Sequence, residues 1–166
     1  ALNEAREELR EVIGREQIDW PQLASQQREA AKLRNVVENS PINIMVADTQ
    51  LVIGYLNASA RKTLATLQQH LPVPAARMVG QSIDLFHSDP VAQRRRLENP
   101  DQLPYRCEFM LGTETIEMTA SAVLDDEGSY LGPMLAWEVI TGRKQAEQRE
   151  RELNESARIK VVSQLV

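Results

Sequence analysis

Cysteine is almost missing from this chain of 166 residues, and Cys107 on its own cannot close an internal disulfide. A fold stapled for an oxidising compartment is therefore excluded, and the expected setting is reducing and cytoplasmic. Histidine is nearly as scarce: only His70 and His87 occur, with no His-Glu-x-x-His pair to hold zinc. No histidine follows His87, so the C-terminal segment has no phosphoacceptor of the histidine-kinase type. The seven glycines sit mostly at turns and form no phosphate-cradling loop, and no nucleophile elbow is present. An enzyme is therefore not expected. Positive charge is in deficit, since a formal net charge of -5 gives no electrostatic reason to approach phosphates, and no nucleic-acid partner is expected. No apolar run nears the roughly 20 residues that cross a bilayer, so no membrane segment is expected either.

What is present suffices for one core: 42% of the residues are hydrophobic, enough for a domain of about 100 to 150 residues with flanking segments. The chain starts without Met and ends inside helical sequence with no stop signal, which reads as a piece of something longer. Leu2, Ala5, Leu9 and Val12 recur at helical spacing over residues 1–16. Asp19-Trp20-Pro21 breaks that helix, and Pro21 suits the first turn of a second one over residues 21–38. Its narrow stripe, Leu23, Ala30, Leu33 and Val37, suits pairing with a partner helix, so residues 1–38 read as a helical linker that supports a homodimer.

Pro41 ends that helix, and a compact domain follows over residues 39–141. Residues 42–47 and 51–56 are apolar runs split by Asp48-Thr49-Gln50, a hairpin. Asn57 caps a helix over 58–67, and residues 70–80, with Pro72, Pro74 and Gly80, form a loop. A short apolar element at 81–87 precedes a helix over 90–98 whose start is signalled by Asp89-Pro90. Residues 105–111, 114–124 and 131–140 then read as three strands. Cys107, Phe109 and Leu111, then Ile116, Met118, Ala120, Ala122 and Leu124, then Leu135, Trp137 and Val139 point to the core. The expected fold is α+β: one five-stranded antiparallel sheet with helices inserted between the second and third strands. Thr141 can cap a charged helix over 142–166, with Ala146, Leu153, Ala157 and Val161 as a weak coiled-coil seam.

Four words in this order are familiar: Asn-Ser-Pro-Ile-Asn-Ile-Met-Val-Ala-Asp (39–48), Tyr-Leu-Asn-Ala-Ser-Ala (55–60), Val-Gly-Gln-Ser-Ile-Asp-Leu-Phe-His (79–87) and Leu-Gly-Pro-Met-Leu-Ala-Trp-Glu-Val-Ile-Thr (131–141). Residues 36–147 resemble a PAS domain, and more narrowly the PAS domains of bacterial methyl-accepting chemotaxis proteins. The resemblance implies a sensor whose sheet cradles a small ligand or cofactor and whose last strand drives a dimeric coiled coil. In the longer protein it implies the chemotaxis histidine kinase and its coupling protein as partners.

In the subset that binds haem b, a histidine before the long helix coordinates the iron and a tryptophan on the last strand lines the opposite side. Here these positions carry His87 and Trp137, with Leu135, Ile116 and Met118 as the expected walls. Neutral imidazole is a good iron ligand, and an indole N–H can donate to a bound gas. Three readings stand side by side: haem, another small ligand or a water-filled pocket, and a structural dimerisation module with no pocket. Arg94, Arg95 and Arg96 are either partners for an anionic ligand or a solvated helix face; His70 and Cys107 receive no role. At the outlet, where many PAS domains read Asp-Ile-Thr, this chain has Val139-Ile140-Thr141. The Asp is absent, and Glu138 faces away from Val139 by strand parity. Transmission is therefore expected to run through Thr141 and packing at Ile140, with Glu138 the nearest carboxylate.

Overall fold

The computed structural model of the chain describes residues 3, 6, 19–86 and 89–163. Apart from residues 3 and 6, the helix expected over residues 1–16 lies outside these residues, as does the candidate iron ligand His87. The chain divides into two compact units, Ala1–Val37 and Glu38–Val166. In the first, α1 (Trp20–Glu38) begins one residue earlier than Pro21. Asp19 supplies the start, because its carboxylate accepts from Gln22 N–H at 3.1 Å and its carbonyl from Leu23 N–H at 2.9 Å.

The second unit is a five-stranded antiparallel sheet in the order β2-β1-β5-β4-β3. Its strands are β1 (Asn43–Ala47), β2 (Ile53–Leu56), β3 (Tyr105–Leu111), β4 (Glu114–Leu124) and β5 (Tyr130–Val139). The α+β class and the insertion of helices between β2 and β3 agree with the sequence pattern. Those helices are α2 (Ala58–Thr66) and α3 (Pro90–Leu97), joined by short 3-10 turns, including Ile83–Phe86. Met45, Ile116, Met118, Ala120, Leu135 and Trp137 line the inner face and bury against Ala60, Leu64, Met78, Ile83 and Leu97. The helix α4 (Thr141–Ser163) leaves the end of β5.

Two details differ from the sequence pattern. The strand expected from residue 51 starts only at Ile53, because Leu51 takes a left-handed conformation (φ 62°) while fully buried. Asp48 holds that turn: its carboxylate accepts from Gln50 and Val52 N–H, each at 2.9 Å. The inward run of β4 also stops short, since Leu124, expected inside, is exposed. The β4–β5 register shifts between Val123 and Leu124, which breaks the alternation there.

Asn57 is the buried polar residue that joins the first hairpin to the helical layer. Its carboxamide oxygen accepts from Ala60 N–H at 2.9 Å, the cap expected of it, and from Ile44 N–H at 3.0 Å. Its amide donates to the Ile42 carbonyl at 2.8 Å. Asn57→Ala should therefore lose about 2 to 4 kcal/mol, the sum of a lost cap and stranded buried backbone groups. Asn57→Asp should also destabilise, because a carboxylate cannot donate to Ile42. Urea unfolding should show both as lower midpoints at unchanged slope.

Candidate functional site

Strand parity aims Trp137 and Leu135 of β5 at the core and Glu138 outward, and the structure agrees: Trp137 is 8% exposed. The Cα partners of Trp137 are Asn43 on β1 and Met118 on β4. Trp137, Leu135, Ile116 and Met118, four of the expected pocket residues, converge on one apolar cavity. From β3 come Phe109 and Leu111, which parity also turns inward, and sequence reasoning missed the remaining walls: Met45 from β1, Leu64 from α2, and Ile83 and Phe86 from the turn before His87. Helical spacing marks Leu64 as buried, but only the packing of α2 on the sheet brings it to the cavity.

The turn Ile83–Phe86, which gives the cavity Ile83 and Phe86, and the helix α3 are each tied down. Arg94 Nε donates to Asp84 at 2.8 Å, and the Tyr130 hydroxyl donates to the Leu97 carbonyl. Arg94 thus fits neither expectation for the arginine run, since its charge is engaged with Asp84 and Glu98. Arg96 lies over the Tyr105 ring at 4.6 Å, and Arg95 is exposed. Burial pushes the Cys107 thiol up, which makes it a poor nucleophile at neutral pH.

The residues can be tested against the haem that the resemblance implies. In kind they fit: the walls are apolar, and the Trp137 indole N–H is buried with no hydrogen-bond partner among the described residues. A buried donor left unpaired costs about 1 to 3 kcal/mol, so a group that accepts from it gains correspondingly. In size the cavity is about 30 Å³, room for a few water-sized spheres, against several hundred for a typical cofactor pocket. A macrocycle therefore requires the walls of this cavity to move apart.

At the outlet, Ile140 is buried and its carbonyl accepts from Lys144 N–H at 2.9 Å, so Ile140 occupies the cap position and Thr141 the first helical one. Thr141 does not cap its own helix as expected. Its hydroxyl accepts from Thr115 N–H at 2.8 Å and donates to the Glu114 carboxylate, and Ile140 N–H donates to the Thr115 carbonyl at 2.8 Å. Glu114 and Thr115 were not singled out in the sequence. Only the β4–β5 register places them here. Glu138 is exposed and pairs with Arg143 at 3.1 Å, which supplies a carboxylate link where the Asp is absent.

No family model matches the sequence. Over 162 residues, 95% of this chain, it is 30% identical to the methyl-accepting chemotaxis protein McpB of Pseudomonas aeruginosa. The chain spans only 23% of that protein's length. A solved structure of the Aer2 receptor from Vibrio cholerae, described as a dual PAS-heme oxygen sensor, superposes with a TM-score of 0.57 at 34% identity. That match covers 60% of this chain and 95% of the receptor structure. The chain belongs to the PAS domains of the chemoreceptor family. A PAS domain from Colwellia psychrerythraea, 16% identical with a TM-score of 0.53 over 68% of this chain and 98% of that one, shares the fold alone. No helix among the described residues of this PAS chain is long and apolar enough to cross a membrane.

Charge on the outer face of this PAS sheet gives a pH test. The Glu117 carboxyl is held below the ordinary glutamate range, first by the Arg106 hydrogen bond and then by the charges of Arg106 and Arg143. A depressed folded pKa contributes stability that is complete above the unfolded value, about 4.3, and is lost as pH falls through the folded one. The joint between sheet and helix should thus be insensitive to pH near neutrality and loosen only in acid. A carboxyl-carbon NMR titration checks this, with the Glu117 midpoint expected below those of exposed glutamates.

Proposed function

We propose that this chain is a cytoplasmic, non-enzymatic PAS sensor of a methyl-accepting chemotaxis protein. It holds haem b or another small ligand against the inner face of its sheet and passes the state of that pocket through β5 to a dimeric coiled coil. The observation that carries the reading is the convergence of Trp137, Leu135, Ile116 and Met118 on an apolar cavity, with the Trp137 indole N–H buried and without a hydrogen-bond partner among the described residues. The 34% identity to a receptor described as a PAS-heme oxygen sensor supports haem among the ligand classes.

In this reading His87 holds the iron, Trp137 supplies the donor, and Leu135, Ile116 and Met118 exclude water. When bound, haem b supplies an iron centre that takes a diatomic gas. The chain's own part is mechanical. A shift at Trp137 moves β5 along ladders shared with β1 and β4, and residues Ile140 and Thr141 convert it into a change at the root of α4. The α4 face carrying Leu153 and Val161 is exposed and available to a second copy, so the flanking helices make the homodimer. In the full-length receptor that coiled coil leads to the chemotaxis histidine kinase and its coupling protein.

The small cavity volume favours a second reading, a dimerisation module that aligns signalling helices without sensing. An absorption spectrum separates the two. Expression with ample haem should give a Soret band that His87→Ala abolishes. A colourless protein with no ligand-dependent shift in melting favours the structural module. Thr141→Ala should leave the Soret band intact while weakening kinase control in the full-length receptor, and equal loss of both overturns this division of labour.

A further inference from the structure

The outer face of the sheet carries three glutamates in one row across adjacent strands: Glu108 on β3 is the Cα partner of Glu117 on β4, which is the partner of Glu138 on β5. Like charges directly opposite one another in a sheet repel. One cation from the sheet answers them, Arg106, whose guanidinium donates to Glu117 at 2.6 Å. The other two come from the first turns of α4. Lys144 Nζ lies 2.7 Å from Glu108, and Arg143 reaches Glu117 at 3.2 Å and Glu138 at 3.1 Å.

These two cations oppose the helix that carries them. The N-terminal end of a helix is the positive end of its dipole, where Arg and Lys are disfavoured and carboxylates are preferred. The first turn of α4 has no acidic residue. Past Thr141 the described side chains of α4 are exposed, so its root is the part held to the sheet. Two unfavourably placed cations at that root, each facing a self-repelling acid row, have a common explanation.

We propose that Glu108, Glu117 and Glu138 form an electrostatic latch for the exit helix, with Arg143 and Lys144 as its catch and positioning residues. Closed, the latch seats the root of α4 on β3–β5. Open, it leaves three carboxylates facing one another with one arginine among them. The Lys144–Glu108 and Arg143–Glu138 pairs are exposed, so each is weak and screened by salt, while Glu117 between them is only 15% exposed. The exposed pairs make the latch releasable by a modest shift of β5 and tunable by ionic strength. The latch uses the reading of α4 as the output of a sensor for its purpose only, and its contacts exist whether or not the pocket binds haem.

The test uses the full chain without ligand and reads amide hydrogen exchange over residues 144–150, against the β4–β5 ladder as control. Arg143→Glu with Lys144→Glu should raise exchange in that segment by about ten-fold while the ladder stays protected. Acidic residues at a helix start favour an isolated helix, so faster exchange cannot come from lower helix propensity. Wild-type exchange over residues 144–150 should rise as salt is raised from 0.05 to 1 M, a range that shortens screening from about 14 to 3 Å. The charge swap Glu108→Lys with Lys144→Glu should recover most of the protection lost in Lys144→Glu alone. Unchanged exchange in the double variant, equal loss in the ladder, or failure of the swap to rescue overturns the latch, and a haem-free spectrum leaves it standing.

Discussion

Everything in the compact unit depends on β5 having a partner on each edge. It pairs with β1 through Asn43–Val46 and with β4 from Ile116 to Leu124, so it is the one strand through which both halves of the sheet are joined. Pro133 removes one backbone donor from this central strand, a placement usually confined to edges. It is tolerated because the β1 ladder ends at Met134, one residue later. Gly132 gives β5 its close approach to β1: a Cβ there would lie 2.1 Å from the Ala47 carbonyl oxygen. Such a strand can carry a change from the inner face to the chain that follows it, since a shift in Trp137 is also a shift in Met118 and Asn43.

The two faces of β5 then divide the work by side-chain parity. Trp137 and Leu135 face the apolar cavity, while Glu138 faces solvent and its largely covered neighbour Glu117 faces the root of α4. The familiar Asp before Ile-Thr is absent, yet the joint has no shortage of polar ties. Thr141 is held by Thr115 and Glu114 from the β4 end, and Arg143 joins Glu138 to Glu117. A joint built from one buried anchor and several weak exposed pairs can be both specific in position and low in release cost.

Much of the fold is written locally. Asn57, Asp89-Pro90 and the alternation from Cys107 to Leu111 each name a cap or a strand through interactions within a few residues, and the structure places them there. The misreadings have equally physical causes. Thr141 has the chemistry of a cap, and only competition from Thr115 and Glu114, 26 and 27 residues away, withdraws its hydroxyl from that task. Leu51 sits in a hydrophobic run that reads as strand, but burial of its side chain holds the backbone in a left-handed turn that propensity alone disfavours. Much of the cavity was legible because parity turns Trp137, Leu135, Ile116, Met118, Phe109 and Leu111 inward. The rest was not, because Met45 reaches it through the β1–β5 pairing, and α2 and the turn at 83–86 through packing that has no local signature.

The sequence by itself determined the order of elements, the inward faces of β3, β5 and most of β4, and the resemblance to chemoreceptor PAS domains, all of which rest on spacing and short words within single elements. Tertiary structure alone decided which residues meet: the alignment of Glu108, Glu117 and Glu138 into one row, the capture of Thr141 by the far end of β4, and the size of the space beside Trp137. The physical reason is register. Strand period fixes which face a side chain takes, but only the hydrogen-bond pairing between strands fixes what stands opposite it.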